Sequence, residues 1–377
     1  MRVLLVGEFS GVHRNLMEQL NKQGIYCDLL SDGDGWKGFN STITIPKRQP
    51  IKGIGKLLFP VLDFLGLAGL SSYRENRNLI DNLDNYDVIQ FINPQAIKAF
   101  GAIGNLCLFS KLSRKAPKIF LCALGGDLCV ETFYIMRRLK YSPWSSFKLK
   151  RVKYFYQNIS FFFPAHAALH FYVTRQVKAI IPGLYEYRCA YENNKKCTSI
   201  IGLPINSGEY NPSISTSIHD GPVKIFYSKK PHMGDYYKKG YKYFDDALAI
   251  LDEKKIPYQL VTANGIPFAQ YKALLTDCDI LLDQTLSYDK GMSGIIGMAN
   301  GMITFSGNEP DIEKFYGRTI PCINAEPNAK ALAIKLTHII ENYEDYNSLR
   351  ISAKEYIDKY HSSDVICSKY IEVWNKE

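Results

Sequence analysis

The sequence predicts an α/β protein with two Rossmann-like, doubly wound parallel sheets, built as two domains that face each other across a cleft. Three observations carry this. Short apolar runs alternate with helix-period stretches over the first two hundred residues, a pattern that parallel sheets produce. A polar run without apolar period follows, "NSGEYNPSISTSIHDGP", rich in Ser, Asn, Gly and Pro. The alternation then restarts at Val223, and 377 residues are enough for two cores. The boundaries read as 1–206 for the first domain, 207–221 for the linker, 222–355 for the second domain, and 356–377 for a C-terminal helix that returns to the first.

In order, "RVLLVG" (2–7) reads as a buried strand and 11–24 as a helix with Leu16 and Leu20 on one face. "YCDLLSD", "YDVIQFIN", "KIFLCAL", "ALHFYVT" and "CTSIIGL" read as further strands, with helices between several of them, notably over 95–113. In the second half "VKIFYSK" is a strand. A helix over 240–254 follows, with Phe244, Ala247, Leu248 and Leu251 on one stripe. Then come "YQLVTA", a helix over 267–277, "DILLD", a helix over 291–300, "MITFSG", "IPCIN" and long helices from 328 to 374.

Composition narrows the partners. The formal charge is +9, but residues 1–210 carry 27 Lys and Arg against 15 Asp and Glu, so the first half holds the excess. Such a half attracts an anionic partner. The nine cysteines form no CxxC pair and read as reduced core thiols of a cytoplasmic protein. The opening apolar run stops at Gly7 and Glu8, too short for a signal peptide. "FFFPAHAALHFYV" (161–173) is too short to span a bilayer. The stretch 137–163 has seven basic residues, no acidic one and many aromatics. Together with the apolar 54–70, it suits an anionic membrane surface. No nucleic-acid motif is present, and neither a dinucleotide fingerprint nor a Walker A loop occurs.

The chemistry concentrates in "CDILLDQTLSYDKGMSGIIGMANGMITFSGNEP". Gly291, Gly294, Gly297 and Gly301 fall within eleven residues. Glycine weakens a helix by about 1 kcal/mol relative to alanine, so a close approach to the backbone is expected there. The helix beginning at Gly291, Met292 and Ser293 offers unpaired amides and a partial positive charge to a phosphate. "KIFLCALGGDL" ends a strand in Gly125, Gly126 and Asp127, an acid at the end of a strand where doubly wound folds bind ligands. Asp127 could orient or deprotonate an acceptor hydroxyl, or simply cap the next helix.

Residues 223–312 resemble the donor half of a GT-B "group 1" glycosyltransferase, of the bacterial kind that builds capsule, O-antigen or other surface polysaccharide. "GEFSGVHRNL" and "IIPGLYEYRCAY" resemble the same proteins. The resemblance implies transfer of a sugar from a nucleoside-diphosphate donor to a growing glycan or lipid-linked acceptor, with retention at the anomeric carbon. It implies no metal and no cofactor beyond the nucleotide sugar. It assigns donor contacts to Asp283, Gln284 and a cation after the first strand of the second domain, Lys229 or Lys230, then Lys239 before Gly240. It places Asp127 and Gly126 near the transferred sugar, and Gly11 and His13 in the acceptor loop. The family's paired glutamates align with Tyr288 and Ile296; Asp283, Asp289 or Glu309 would have to replace them. That departure leaves an inactive GT-B-like binding subunit as an alternative, and a nucleotide-sugar epimerase shares the fold. The expected location is the cytoplasm, peripheral to the inner face of the plasma membrane.

Overall fold

The computed structural model describes residues 1–46, 55–210, 212, 221–229 and 233–376. Among the described residues, eleven strands form: β1 (Arg2–Val6), β2 (Tyr26–Ser31), β3 (Ile43–Thr44), β4 (Val88–Phe91), β5 (Lys118–Ala123), β6 (Ala179–Pro182), β7 (Val223–Lys229), β8 (Tyr258–Asn264), β9 (Ile280–Leu282), β10 (Ile303–Ser306) and β11 (Ile323–Asn324). They make two sheets, ordered β3-β2-β1-β4-β5-β6 and β11-β10-β9-β7-β8. Every pairing within them is parallel. Apart from Arg2 and Lys118, which open β1 and β5, strands β1, β4, β5, β9 and β10 are buried, as their apolar runs require of a parallel sheet covered on both faces.

The first compact unit comprises Met1–Phe133, Phe155–Pro204 and Ile366–Glu377; the second comprises Tyr134–Tyr154 and Ile205–Val365. The basic stretch 137–163 is therefore divided, and its part up to Tyr154 belongs with the second sheet. There the Arg151 guanidinium lies 4.1 Å from the centre of the Tyr237 ring, and Ser146 Oγ donates to the Tyr237 carbonyl at 2.8 Å. In the first unit the end of the helix Ser363–Lys376 buries Cys367, Tyr370 and Trp374. Of the expected linker, 207–210, 212 and 221 are described.

Two strand expectations fail. "ALHFYVT" lies inside the helix Pro164–Gln176. Its buried positions, His166, Leu169, His170, Val173 and Thr174, follow the helical spacing of three and four residues. Pro164 at the first helical position starts it. "CTSIIGL" forms no strand; Cys197 makes only an isolated bridge to Ile180. The edge strand of the first sheet is instead β6. Among the described residues, no helix is long and apolar enough to cross a membrane.

Candidate functional site

In the second sheet, β7 lies between β8 and β9, so the chain reverses its direction of travel across the sheet at the β7/β9 boundary. The carboxyl ends at such a switch point form a crevice. Asp283 follows β9 there, and Lys239 sits just before the helix Tyr241–Glu253. Lys239 Nζ donates to Asp283 Oδ1 at 2.8 Å, and Ser306 Oγ donates to Asp283 Oδ2 at 2.8 Å. The aspartate is 1% exposed, the lysine side chain 18%. Burial alone would lower the lysine pKa, but the Asp283 charge and hydrogen bond override it and raise it, so Lys239 stays a cation.

The glycine after Lys239 is dictated by geometry. Gly240 has φ +71°, and a Cβ there would fall 2.1 Å from Thr285 Oγ1 and 2.8 Å from Leu286 Cγ. The Lys239 carbonyl accepts from the Thr285 amide at 2.8 Å, which ties the turn to the end of β9. The Lys-Gly spacing thus places one cation on one carboxylate.

The four glycines of the helix Met292–Ala299 and its caps have different reasons. Gly301 adopts φ +64° just past the helix end. At Gly297 a Cβ would meet Leu281 Cδ2 at 2.4 Å and Thr304 Oγ1 at 2.7 Å, so glycine lets the helix seat on β9 and β10. At Gly294 it would meet Ser306 Oγ at 3.1 Å and Asp283 Oδ2 at 3.3 Å, so glycine brings the first helical turn onto the buried aspartate. Gly291 differs. Its backbone is extended (φ −80°, ψ −176°), and a Cβ would find only Gln284 Nε2 at 3.7 Å. Neither backbone nor packing calls for glycine there. Gly291 and Ser293 are partly exposed, whereas Met292 and Gly294 are buried. The amides of the first turn have no partner within the helix.

Around this turn, Gln284 Nε2 donates to the Asp289 carbonyl at 3.2 Å. Asp289 and Lys290 form a buried ion pair at 3.0 Å. Burial opposes the Lys290 charge, and Asp289 restores it, raising the pKa. Glu309 Oε1 accepts from Tyr141 Oη at 2.5 Å and from Asn324 Nδ2 at 2.7 Å, while Lys140 Nζ stands 3.9 Å from Oε2. The Tyr288 hydroxyl accepts from the Lys140 amide at 2.9 Å. Ile296 is buried and offers no acceptor. Lys230 and the side chain of Lys229 lie outside the described residues.

The first sheet has its switch point between β1 and β4. Glu8, after β1, accepts from the amides of Gly11 at 2.6 Å and Arg14 at 2.7 Å. Burial pushes its pKa up to about 7. His13 is fully buried, and both ring nitrogens are used. Nδ1 donates to the Gly7 carbonyl at 2.8 Å, and Nε2 accepts from Gln90 Nε2 at 3.2 Å. Gln90 Oε1 in turn accepts from Trp374 Nε1 at 3.0 Å. Burial lowers the histidine pKa to about 4. The expected acceptor-side role needs an accessible nitrogen, and His13 presents none; it ties Gly7 to Gln90. Asp127, also buried, accepts from the Val130 amide at 2.9 Å and from the Tyr191 hydroxyl. As placed, it caps the helix Leu128–Ile135, the second of its two sequence readings. Gly126 packs close to Glu131, whose Oε1 lies 2.5 Å from where its Cβ would be.

Glu8, Lys290, Ser306 and Tyr141 escape sequence reasoning. Only Glu8 carried a signal, as an acid one residue past the first strand's glycine.

No family model matches the chain, and no curated protein matches it. Solved structures do. Anabaena Alr3699/HepE in complex with UDP-glucose is 11% identical with a TM-score of 0.57, all of both chains being covered. Sucrose-phosphate synthase from Thermosynechococcus elongatus is 12% identical with a TM-score of 0.63, over 100% of this chain and 99% of that one. UDP-GlcNAc 2-epimerase from Neisseria meningitidis bound to UDP-GlcNAc is 10% identical with a TM-score of 0.53, again over all of both chains. At these identities the likeness speaks for the fold, and the fold of this chain is GT-B.

Proposed function

We propose that the chain is a glycosyltransferase that moves a sugar from a nucleoside-diphosphate donor to a growing surface glycan or lipid-linked acceptor. The observation that carries this is Lys239, held as a cation on buried Asp283 beside the first turn of the helix Met292–Ala299. A diphosphate seated there would meet one cation and several amides, a set that stabilises charge developing on a leaving group. The anomeric carbon–oxygen bond to the diphosphate breaks, the acceptor oxygen bonds to that carbon, and the acceptor proton passes to the departing phosphate oxygen. Family resemblance supports retention, independence of metal, and a cytoplasmic, membrane-peripheral location.

A second reading, a subunit that binds nucleotide sugar without transferring it, is favoured by one observation. Ile296, which the resemblance aligns with the glutamate that holds the donor ribose, is buried and has no acceptor of its own. Saturation-transfer NMR with UDP-, GDP- and CMP-sugars tests donor binding. Release of nucleoside diphosphate in the presence of acceptor then separates transfer from binding alone, and interconversion of the sugar without release indicates an epimerase. A chain that binds none of the three nucleotides refutes the proposal.

A further inference from the structure

Glu309 lies just past β10, at the carboxyl edge of the second sheet where Asp283 follows β9. It stands at the cap position of the helix Pro310–Tyr316, yet its carboxylate caps no amide there. The fold engages one of its oxygens. Oε1 accepts from Tyr141 Oη at 2.5 Å and from Asn324 Nδ2 at 2.7 Å. Among the described residues no group donates a hydrogen bond to Oε2; Lys140 Nζ stands 3.9 Å from it, on a side chain 66% exposed. Oε2 is nevertheless open to solvent, on a residue only 6% exposed. The other two acids that could replace the family's glutamates have both oxygens occupied. Asp283 holds Lys239 and Ser306, and Asp289 holds Lys290 through Oδ1 and Tyr316 through Oδ2.

The groups on Oε1 are themselves fixed. The Tyr141 ring packs on Tyr288 at 5.1 Å between centres, and the preceding Lys140 amide donates to the Tyr288 hydroxyl. The Ser142 amide, on the other side, donates to Ser145 Oγ at 2.9 Å. Asn324 Oδ1 accepts from the Asn308 amide at 3.2 Å, which turns Nδ2 toward Glu309. Burial and the Glu309 charge raise the Tyr141 hydroxyl pKa, so it stays a donor.

We propose that Tyr141 is a positioning residue of the donor site: with Asn324 it holds Glu309 Oε1, so that Oε2 accepts a hydroxyl of the bound nucleotide sugar. The inference rests on the proposed function. A carboxylate oxygen repels the diphosphate, which has Lys239 instead, but bonds strongly to a neutral hydroxyl. The ribose and the transferred sugar both carry such hydroxyls. Holding the carboxylate in place beforehand spares the cost of ordering a long side chain when the ligand arrives. Tyr141 thus joins a stretch encoded in the first half of the chain to the chemistry of the second unit, to which Tyr134–Tyr154 belongs.

The test is calorimetric titration of the full chain with UDP and UDP-glucose, or with GDP and GDP-mannose if wild type binds those instead, each variant being held below its melting temperature. Glu309→Gln keeps an oxygen for Tyr141 and Asn324 and puts an amide nitrogen, a donor, where the open oxygen was. It should bind the nucleotide sugar roughly tenfold or more weakly. An equal loss with the free nucleotide assigns the ribose hydroxyls, and a loss confined to the nucleotide sugar assigns those of the transferred sugar; either supports the proposal. Tyr141→Phe keeps the ring on Tyr288 and removes only the hydroxyl. It should weaken the same ligand roughly threefold or more, and should add nothing further in the Glu309→Gln background. Glu309→Gln that binds both ligands like wild type overturns the proposal and leaves Tyr141–Glu309 as a tie within the fold. So does a Tyr141→Phe that lowers the melting temperature without changing affinity, or one whose loss adds in full to that of Glu309→Gln. Wild type that binds neither nucleotide pair is a different failure: it refutes the nucleoside-diphosphate donor itself, and this inference falls with it.

Discussion

Lys239 and Asp283 allow structure and chemistry to be separated by mutation. Among the described residues, Lys239→Met would leave the Asp283 carboxylate, 1% exposed, with only the Ser306 hydroxyl. Removing one partner of a fully buried pair costs about 3–5 kcal/mol. The lysine side chain keeps 18% of its exposure, and water reaching the vacated space reduces this to about 2–3 kcal/mol. For a unit of 150–250 residues that is a fall of roughly 4–12 °C in melting temperature. Adding Asp283→Asn removes the stranded charge while an amide oxygen can still accept from Ser306. The double variant should recover at least half of the lost stability. Nucleotide binding should not recover. A charge-assisted contact to a diphosphate contributes about 1.5–3 kcal/mol, so UDP should bind both variants roughly 10–150-fold more weakly. Calorimetric titration at a temperature where each variant is folded decides this. A double variant that binds UDP like wild type would show that Lys239 serves the fold alone, and the diphosphate cation would have to be sought elsewhere.

Two further perturbations use neighbouring features. Gly291→Ala should leave the melting temperature unchanged, because its Cβ has room, yet weaken UDP at least tenfold; Gly297→Ala, whose Cβ would press on Leu281 and Thr304, should instead cost about 1–3 kcal/mol of stability and leave UDP affinity alone. If Gly291→Ala binds UDP normally, the ligand does not approach that turn. In the first unit, Glu8 and His13 should oppose one another as pH changes. The Glu8 pKa rises from 4.5 to about 7, so its contribution is full below 4.5 and is lost as pH rises through 7. The His13 pKa falls from 6.5 to about 4, so its contribution is full above 6.5 and is lost as pH falls toward 4. Each is worth about 3 kcal/mol over its window, and the two slopes cancel between 4.5 and 6.5. Glu8→Gln should therefore convert a flat profile of urea midpoint against pH into one that falls on acidification; a variant profile as flat as wild type would mean that Glu8 is not the compensating group.

The sheets were legible in the sequence because buried parallel strands are written as unbroken apolar runs, and "RVLLVG", "YDVIQFIN", "KIFLCAL" and "DILLD" all fall on central strands. The Lys239–Gly240 pair was singled out through the family resemblance alone, and the structure supplies the physical reason for its glycine, a left-handed turn at φ +71°. "ALHFYVT" misled because a short, mostly apolar run suits either period, and Pro164, four residues upstream, held the deciding information. The role of Gly294 was only partly legible. Sequence spacing suggests room for a ligand, but its side-chain direction points at Ser306 and Asp283, so Gly294→Val would disturb the buried network itself. Tyr141 and Glu309 could not be paired from sequence, since their contact spans 168 positions. The same holds for Trp374, Gln90 and His13.

That last chain of contacts has a consequence for how the protein is made. Residues 366–376 belong to the first unit, and Trp374, fully buried, completes the hydrogen bonds that run through Gln90 to His13 and Gly7. Domains ordinarily fold from the N-terminus as they emerge, at about 5–20 residues per second of synthesis. Here the first sheet emerges early, yet its last packing piece is translated after the whole second unit. For roughly ten seconds or more the ribosome therefore carries a first unit whose Gln90 carbonyl and β5 flank lack their cover. A chain stalled anywhere in the second unit should expose that surface to chaperones, and a stop codon at Ile366 should impair a site more than three hundred residues upstream.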